Sequence, residues 1–109
     1  MERTHLLTNV ARAAIAPGKV RVTFRLDDAV VTGPTSVVGN FNDWIPGRHR
    51  FLYRGRGIHA AVVLVPEGDV LRLRYLGPDG YWHNPANVPD VDGQDTIVVA
   101  RSRSHDVHP

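Results

Sequence analysis

Val20-Arg21-Val22-Thr23-Phe24-Arg25-Leu26 alternates apolar and polar residues without a break. Successive side chains on a strand point to opposite faces. Val20, Val22, Phe24 and Leu26 therefore share one face, and Arg21, Thr23 and Arg25 the other. This is a strand half buried against a core, and the rest of the chain can be read outward from it. Towards the C-terminus, Asp27-Asp28 and Gly33-Pro34 bracket a loop before a short strand near Ser36-Val37-Val38. A third strand is expected around Arg50–Tyr53, and Gly55 and Gly57 mark a hairpin turn into Ile58–Val65. Pro66-Glu67-Gly68-Asp69 turns the chain into Val70–Leu76, Gly77-Pro78-Asp79-Gly80 turns it towards Tyr81-Trp82, and Thr96–Ala100 closes the sheet. Towards the N-terminus, Ala11-Arg12-Ala13-Ala14-Ile15 reads equally as a short helix or as a loose arm, ended by Pro17-Gly18.

About seven short strands, with turn signals at roughly 8–12-residue spacing and no long helical pattern, specify an all-β antiparallel sandwich. The expected organisation is an arm over residues 1–18, the sandwich over 19–100 and a polar tail over 101–109. Val22, Phe24, Val63, Val65 and Leu73 are its expected inward positions, joined by Phe41.

Gly39-Asn40-Phe41-Asn42-Asp43-Trp44 resembles the G-x-F-N-x-W signature of carbohydrate-binding module family 48. That family includes the isoamylase N-terminal early-set domain and the glycogen-binding domain of the AMP-activated protein kinase β subunit. Four further stretches resemble its motifs in the same order. Val65-Pro66-Glu67-Gly68 is similar to its L-P-x-G turn, and Arg72-Leu73-Arg74-Tyr75-Leu76 to its Y-x-Y-K/R-F strand. Asp79-Gly80-Tyr81-Trp82-His83-Asn84-Pro85 is similar to its D-G-x-W-x-x-D-P loop, and Asp92-Gly93-Gln94-Asp95-Thr96-Ile97-Val98 to its G-x-x-N-x-V-V strand. The likeness is greatest to stand-alone bacterial versions of the module. It implies an immunoglobulin-like early-set sandwich and a non-catalytic α-glucan-binding function. It also implies carbohydrate contacts from Trp44, Arg74, Trp82, Gln94 and Asp95. Asp95 stands where glycogen-binding members carry asparagine, and an ionised carboxylate cannot donate to a hydroxyl. His59 occupies a position that is usually aromatic.

The chemistry of those residue types suits the ligand the resemblance implies. A glucan has apolar C–H faces rimmed by hydroxyls. Flat aromatic rings cover the faces, and polar side chains meet the rim. Trp44 and Trp82 are the only tryptophans, and both fall in loop-forming sequence. Each could instead cap or pack the sandwich structurally, Trp44 more readily than Trp82. Arg74 could bond two hydroxyls through its planar fork or simply line a solvated strand face.

Composition bounds the alternatives. The chain has 109 residues, 42% of them hydrophobic, which suits one small globular domain. It contains no cysteine, the first eight residues hold no apolar signal-peptide core, and no apolar run reaches the ~18 residues of a membrane helix. A cytoplasmic protein is expected, with no membrane partner. Net charge is only +2, which does not call for nucleic acid. Arg48, Arg50, Arg54 and Arg56 would nevertheless form one basic patch with Arg72 and Arg74 if their strands were neighbours.

The six histidines stand singly except for His105-Asp106-Val107-His108, in the expected tail, so no metal site and no cofactor is expected. Asp79, Asp90, Asp92 and Asp95 lie on turns, not on the facing walls that glycoside hydrolysis needs, and no nucleophile elbow or phosphate-binding loop is present. The protein is read as non-enzymatic. The strand Ala60–Val65 is apolar on both faces, with Leu64 pointing outward. This supports an alternative in which the same fold is a protein-interaction module, binding a glycogen-metabolising enzyme or a second copy there.

Overall fold

The computed structural model describes residues 8–78, 82–83, 91–92 and 95–101. Among them the chain forms two antiparallel sheets packed face to face. The strands are β1 (Thr8–Ala16), β2 (Lys19–Asp27), β3 (Ser36–Gly39), β4 (Leu52–Gly55), β5 (Ile58–Pro66), β6 (Val70–Leu76), β7 (Trp82–His83), β8 (Val91–Asp92) and β9 (Asp95–Val99). The first sheet has the order β1-β2-β5-β4. The second has the order β3-β6-β9-β8, with β7 also pairing β6. The all-β sandwich read from the sequence is the fold, with two more strands than expected, the N-terminal β1 and the two-residue β8.

The alternation in β2 does what its pattern requires. Val20, Val22 and Phe24 are fully buried, and β2 pairs along its whole length with β5, Val22 opposite Val63 and Val20 opposite Val65. From the facing sheet Leu71, Leu73 and Tyr75 of β6 and Val98 of β9 close the core. The expected inward residues Val22, Phe24, Val63, Val65 and Leu73 are all in it, and Phe41 packs against it from a partly buried position. Tyr75 holds an aromatic cluster together, edge-on to Phe24 at 6.1 Å and to Phe51 at 4.9 Å between ring centroids. Such pairs add to the burial of their area.

Three expectations are corrected. Residues 8–16 form neither arm nor helix. They are β1, paired with β2 from Thr8–Leu26 to Ala16–Lys19, so the sandwich starts well before residue 19. Arg12 ties this edge strand to the opposite sheet, its Nε donating to the Val99 carbonyl at 2.9 Å.

The strand expected at Arg50–Tyr53 is instead a crossing between sheets. Arg50 bridges Ser36 and the Phe51 amide donates to Thr35 O on the β3 side, whereas Leu52 pairs with Ala60 of β5. Buried Phe51 is the pivot where the chain changes sheet. That crossing also splits the basic patch. Arg54 lies on β4 in the first sheet, Arg72 and Arg74 on β6 in the second.

The tail from residue 102 lies outside the described residues, as does His105–His108. No helix among the described residues is long and apolar enough to cross a membrane.

Candidate functional site

The turn after β3 is tightly constrained. Gly39 ends β3, and a Cβ there would stand 2.2 Å from Arg72 O and 2.6 Å from the Phe41 ring. Only glycine lets β3 lie this close to β6. Asn40 continues the pairing through both main chain and side chain. Its amide donates to Arg72 O, its Nδ2 donates to Val70 O at 3.0 Å, and its Oδ1 accepts from the Arg72 amide at 3.2 Å. The Asn42 and Trp44 amides both donate to Gly39 O, closing the turn. Asp43 and Trp44 both adopt left-handed backbone, with φ of 56° and 58°. Aspartate tolerates this region, but a tryptophan is held there at a cost of about 1–3 kcal/mol that the surrounding bonds must offset.

Asn42 supplies those bonds. It is 2% exposed. Its Oδ1 accepts from the Gly39 amide at 3.0 Å. Its Nδ2 donates to Val37 O at 3.0 Å and meets His49 Nδ1 at 2.9 Å. The chain after the turn doubles back along β3, where the Gly47 amide donates to Ser36 Oγ and Val37 donates to His49 O. β3 is consequently buried throughout, with Val37 and Val38 both without solvent exposure.

This framework sets the places of the residues the sequence singled out. Arg74 lies on the outward row of β6, half-buried, with Val38 as its pair on β3. Trp44, also half-buried, is held by its amide to Gly39, the residue after Val38. The Trp82 backbone pairs with Leu76, two residues beyond Arg74. Asp95 begins β9 beside the Leu73–Thr96 pair, one step from Arg74, and pairs with Asp92. Residues separated by up to half the chain thus gather on the second sheet around β6. For Trp82 and Asp95 this is a statement about backbone position. Gln94 lies outside the described residues.

At the Ser36–Leu76 end of the β3–β6 pairing lies a shallow cleft of about 480 Å³, lined by Pro34, Ser36, Pro46, Arg50, Leu76 and Pro78 among others. Sequence reading missed it. Its only advance sign was the density of proline and glycine on either side of β3 and after β6.

Among the described residues no group of three or more potential metal ligands converges. His59 makes a close pair with Asp28, Nε2 to Oδ1 at 2.7 Å, beside the Tyr53 ring at 5.1 Å. That pair joins β5 of the first sheet to the 3-10 turn after β2, and the carboxylate is mostly exposed, so it contributes little to stability.

No protein-family model matches this chain, nor does any curated protein or solved structure. The functional reading therefore rests on the residues and their arrangement.

Proposed function

We propose that this protein is a non-catalytic, cytoplasmic α-glucan-binding module of the glycogen or starch kind, with its site on the second sheet around Trp44, Arg74 and Trp82. The observation that carries the reading is the register of β6. It sets Arg74 beside β3 and the tryptophan-bearing turn on one side, and sets Trp82 on the neighbouring strand on the other. A strained, glycine-dependent turn that holds a half-buried tryptophan is the kind of feature that function maintains. The resemblance of the five motifs to carbohydrate-binding module family 48 points the same way. Asp95 and Gln94 would complete the rim contacts.

Two tryptophan faces covering roughly 100 Å² each supply about 2.5 kcal/mol apiece before association costs, so the expected Kd is roughly 10 µM to 1 mM. Co-sedimentation with glycogen and amylopectin, beside cellulose as a control, tests the reading. Retention on the α-glucans alone is expected. Arg74→Ala should weaken it by about one hydrogen bond, ~0.5–1.5 kcal/mol. Contacts to neutral hydroxyls and apolar faces should hardly change between low and moderate salt, whereas an arginine–phosphate interaction would collapse. Protein that stays in the supernatant with every α-glucan would refute the proposal.

A protein contact is a second reading, favoured by a different surface. Leu64 and Leu52 stand on the outer side of the first sheet, 57% and 56% exposed. The Leu64 side chain is not covered by β1, which pairs beside β2 in the sheet and does not fold over it. A second copy or a glycogen-metabolising enzyme docked there would leave the second sheet free for glucan.

A further inference from the structure

The orientation of the Asn42 amide is fixed by its backbone partners. The Gly39 N–H can only donate, so it faces Oδ1, and the Val37 carbonyl can only accept, so it faces Nδ2. The second Nδ2 hydrogen then points at His49 Nδ1, 2.9 Å away, which must accept it. An accepting Nδ1 means a neutral imidazole with its proton on Nε2. Protonating the ring would set an N–H against an N–H₂, donor facing donor, inside the bonds that close the Trp44 turn.

From this we infer that His49 is a positioning residue for the Trp44 turn, acting through Asn42, and that it releases the turn when it takes up a proton. The inference rests on the glucan reading only for its consequence, which is binding that weakens on acidification. The surroundings favour the neutral ring. Phe41 packs edge-on against it, with centroids 5.7 Å apart. The elements around it carry Arg48 and Arg50 on its own segment, Asp43 on the turn and, across β3, Arg74 on β6. Burial first, and then the Arg48 guanidinium, hold its pKa below the ordinary value of 6.5. The sign follows from that depression. Above 6.5 the ring is neutral in folded and unfolded chains alike. As pH falls below 6.5 the unfolded chain takes the proton first and the fold loses stability. The loss levels off below the folded-state pKa, where the turn has taken the proton too.

Two measurements separate this from the glucan reading. The ¹⁵N signals of the His49 ring report the tautomer, and the protection factor of the Gly39 amide reports the turn, both without sugar. At pH 7.5 Nδ1 should be unprotonated, and between about pH 7.5 and 5 Gly39 protection should fall by about tenfold, the ratio that one lost hydrogen bond carries. His49→Gln can accept from Asn42 through Oε1 and does not titrate, so its Gly39 protection should stay flat. This control separates the response of the His49 ring from any other effect of acid. Retention on glycogen should follow the same pair of profiles. Nδ1 carrying the proton at pH 7.5, or the same acid loss in His49→Gln, would overturn the inference. A wild-type turn that responds while glycogen is never retained would refute the glucan reading and leave the positioning role standing.

Discussion

Phe24→Ala should leave the protein barely folded. Phe24 is fully buried at the centre of β2, edge-on to Tyr75 of the opposite sheet, and paired in register with Ala61. Alanine at position 61 cannot expand into the space that removal of the ring would open. Buried phenylalanine-to-alanine changes cost about 3–5 kcal/mol, against a total stability of roughly 5–15 kcal/mol for a domain of this kind. Thermal unfolding should shift down by roughly 15 °C or more. A loss under about 1 kcal/mol would mean that the two sheets do not meet at Phe24.

Gly39→Ala should be nearly as damaging for a different reason. Gly39 is not in the left-handed region, so alanine brings no backbone penalty of its own there. The cost is steric. The added Cβ would lie 2.2 Å from Arg72 O and 3.1 Å from Leu73 Cβ, and neither a strand carbonyl nor a fully buried leucine can yield cheaply. β3 would have to move off β6, stretching the Asn40 and Asn42 bonds together. Destabilisation of about 3 kcal/mol or more is expected, read as a lower urea midpoint at unchanged slope. Because the same shift displaces Trp44, glucan retention should fall even under conditions where the variant is folded. A variant as stable as wild type would show that β3 and β6 are not in the close contact argued above.

How much of this was legible in the residues depended on whether local pattern and tertiary context agreed. β2 and β6 alternate with period two, β5 is a continuous apolar run bounded by glycine and proline turns, and the structure follows all three closely. β1 did not show itself because Ala11, Ala13, Ala14 and Ala16 carry high helix propensity and little pattern. What makes it a strand is a partner, the free edge of β2, and a partner is not visible in a local window. The sheet crossing at Phe51 likewise breaks alternation at the point where a single strand was expected.

For the site, the motif stretch around Trp44 was visible as a resemblance, but the reason for its residues was not. Asn42 acts through Gly39, Val37 and His49, and nothing in the order of residues joins His49 to that set. Arg74 was legible as an outward strand residue. Its place beside β3 and one strand from Trp82 became visible only through the register of β6.

If Trp44 and Trp82 belong to one glucan site, as proposed, both respond to the same sugar. As the only tryptophans, they give two indole N–H signals in a ¹⁵N spectrum. Titration with maltoheptaose reads both at once. Both signals should move along a common curve with a single Kd of roughly 10 µM to 1 mM, unchanged by moderate salt. Signals that stay fixed to saturating sugar, or a response confined to one tryptophan, would contradict it.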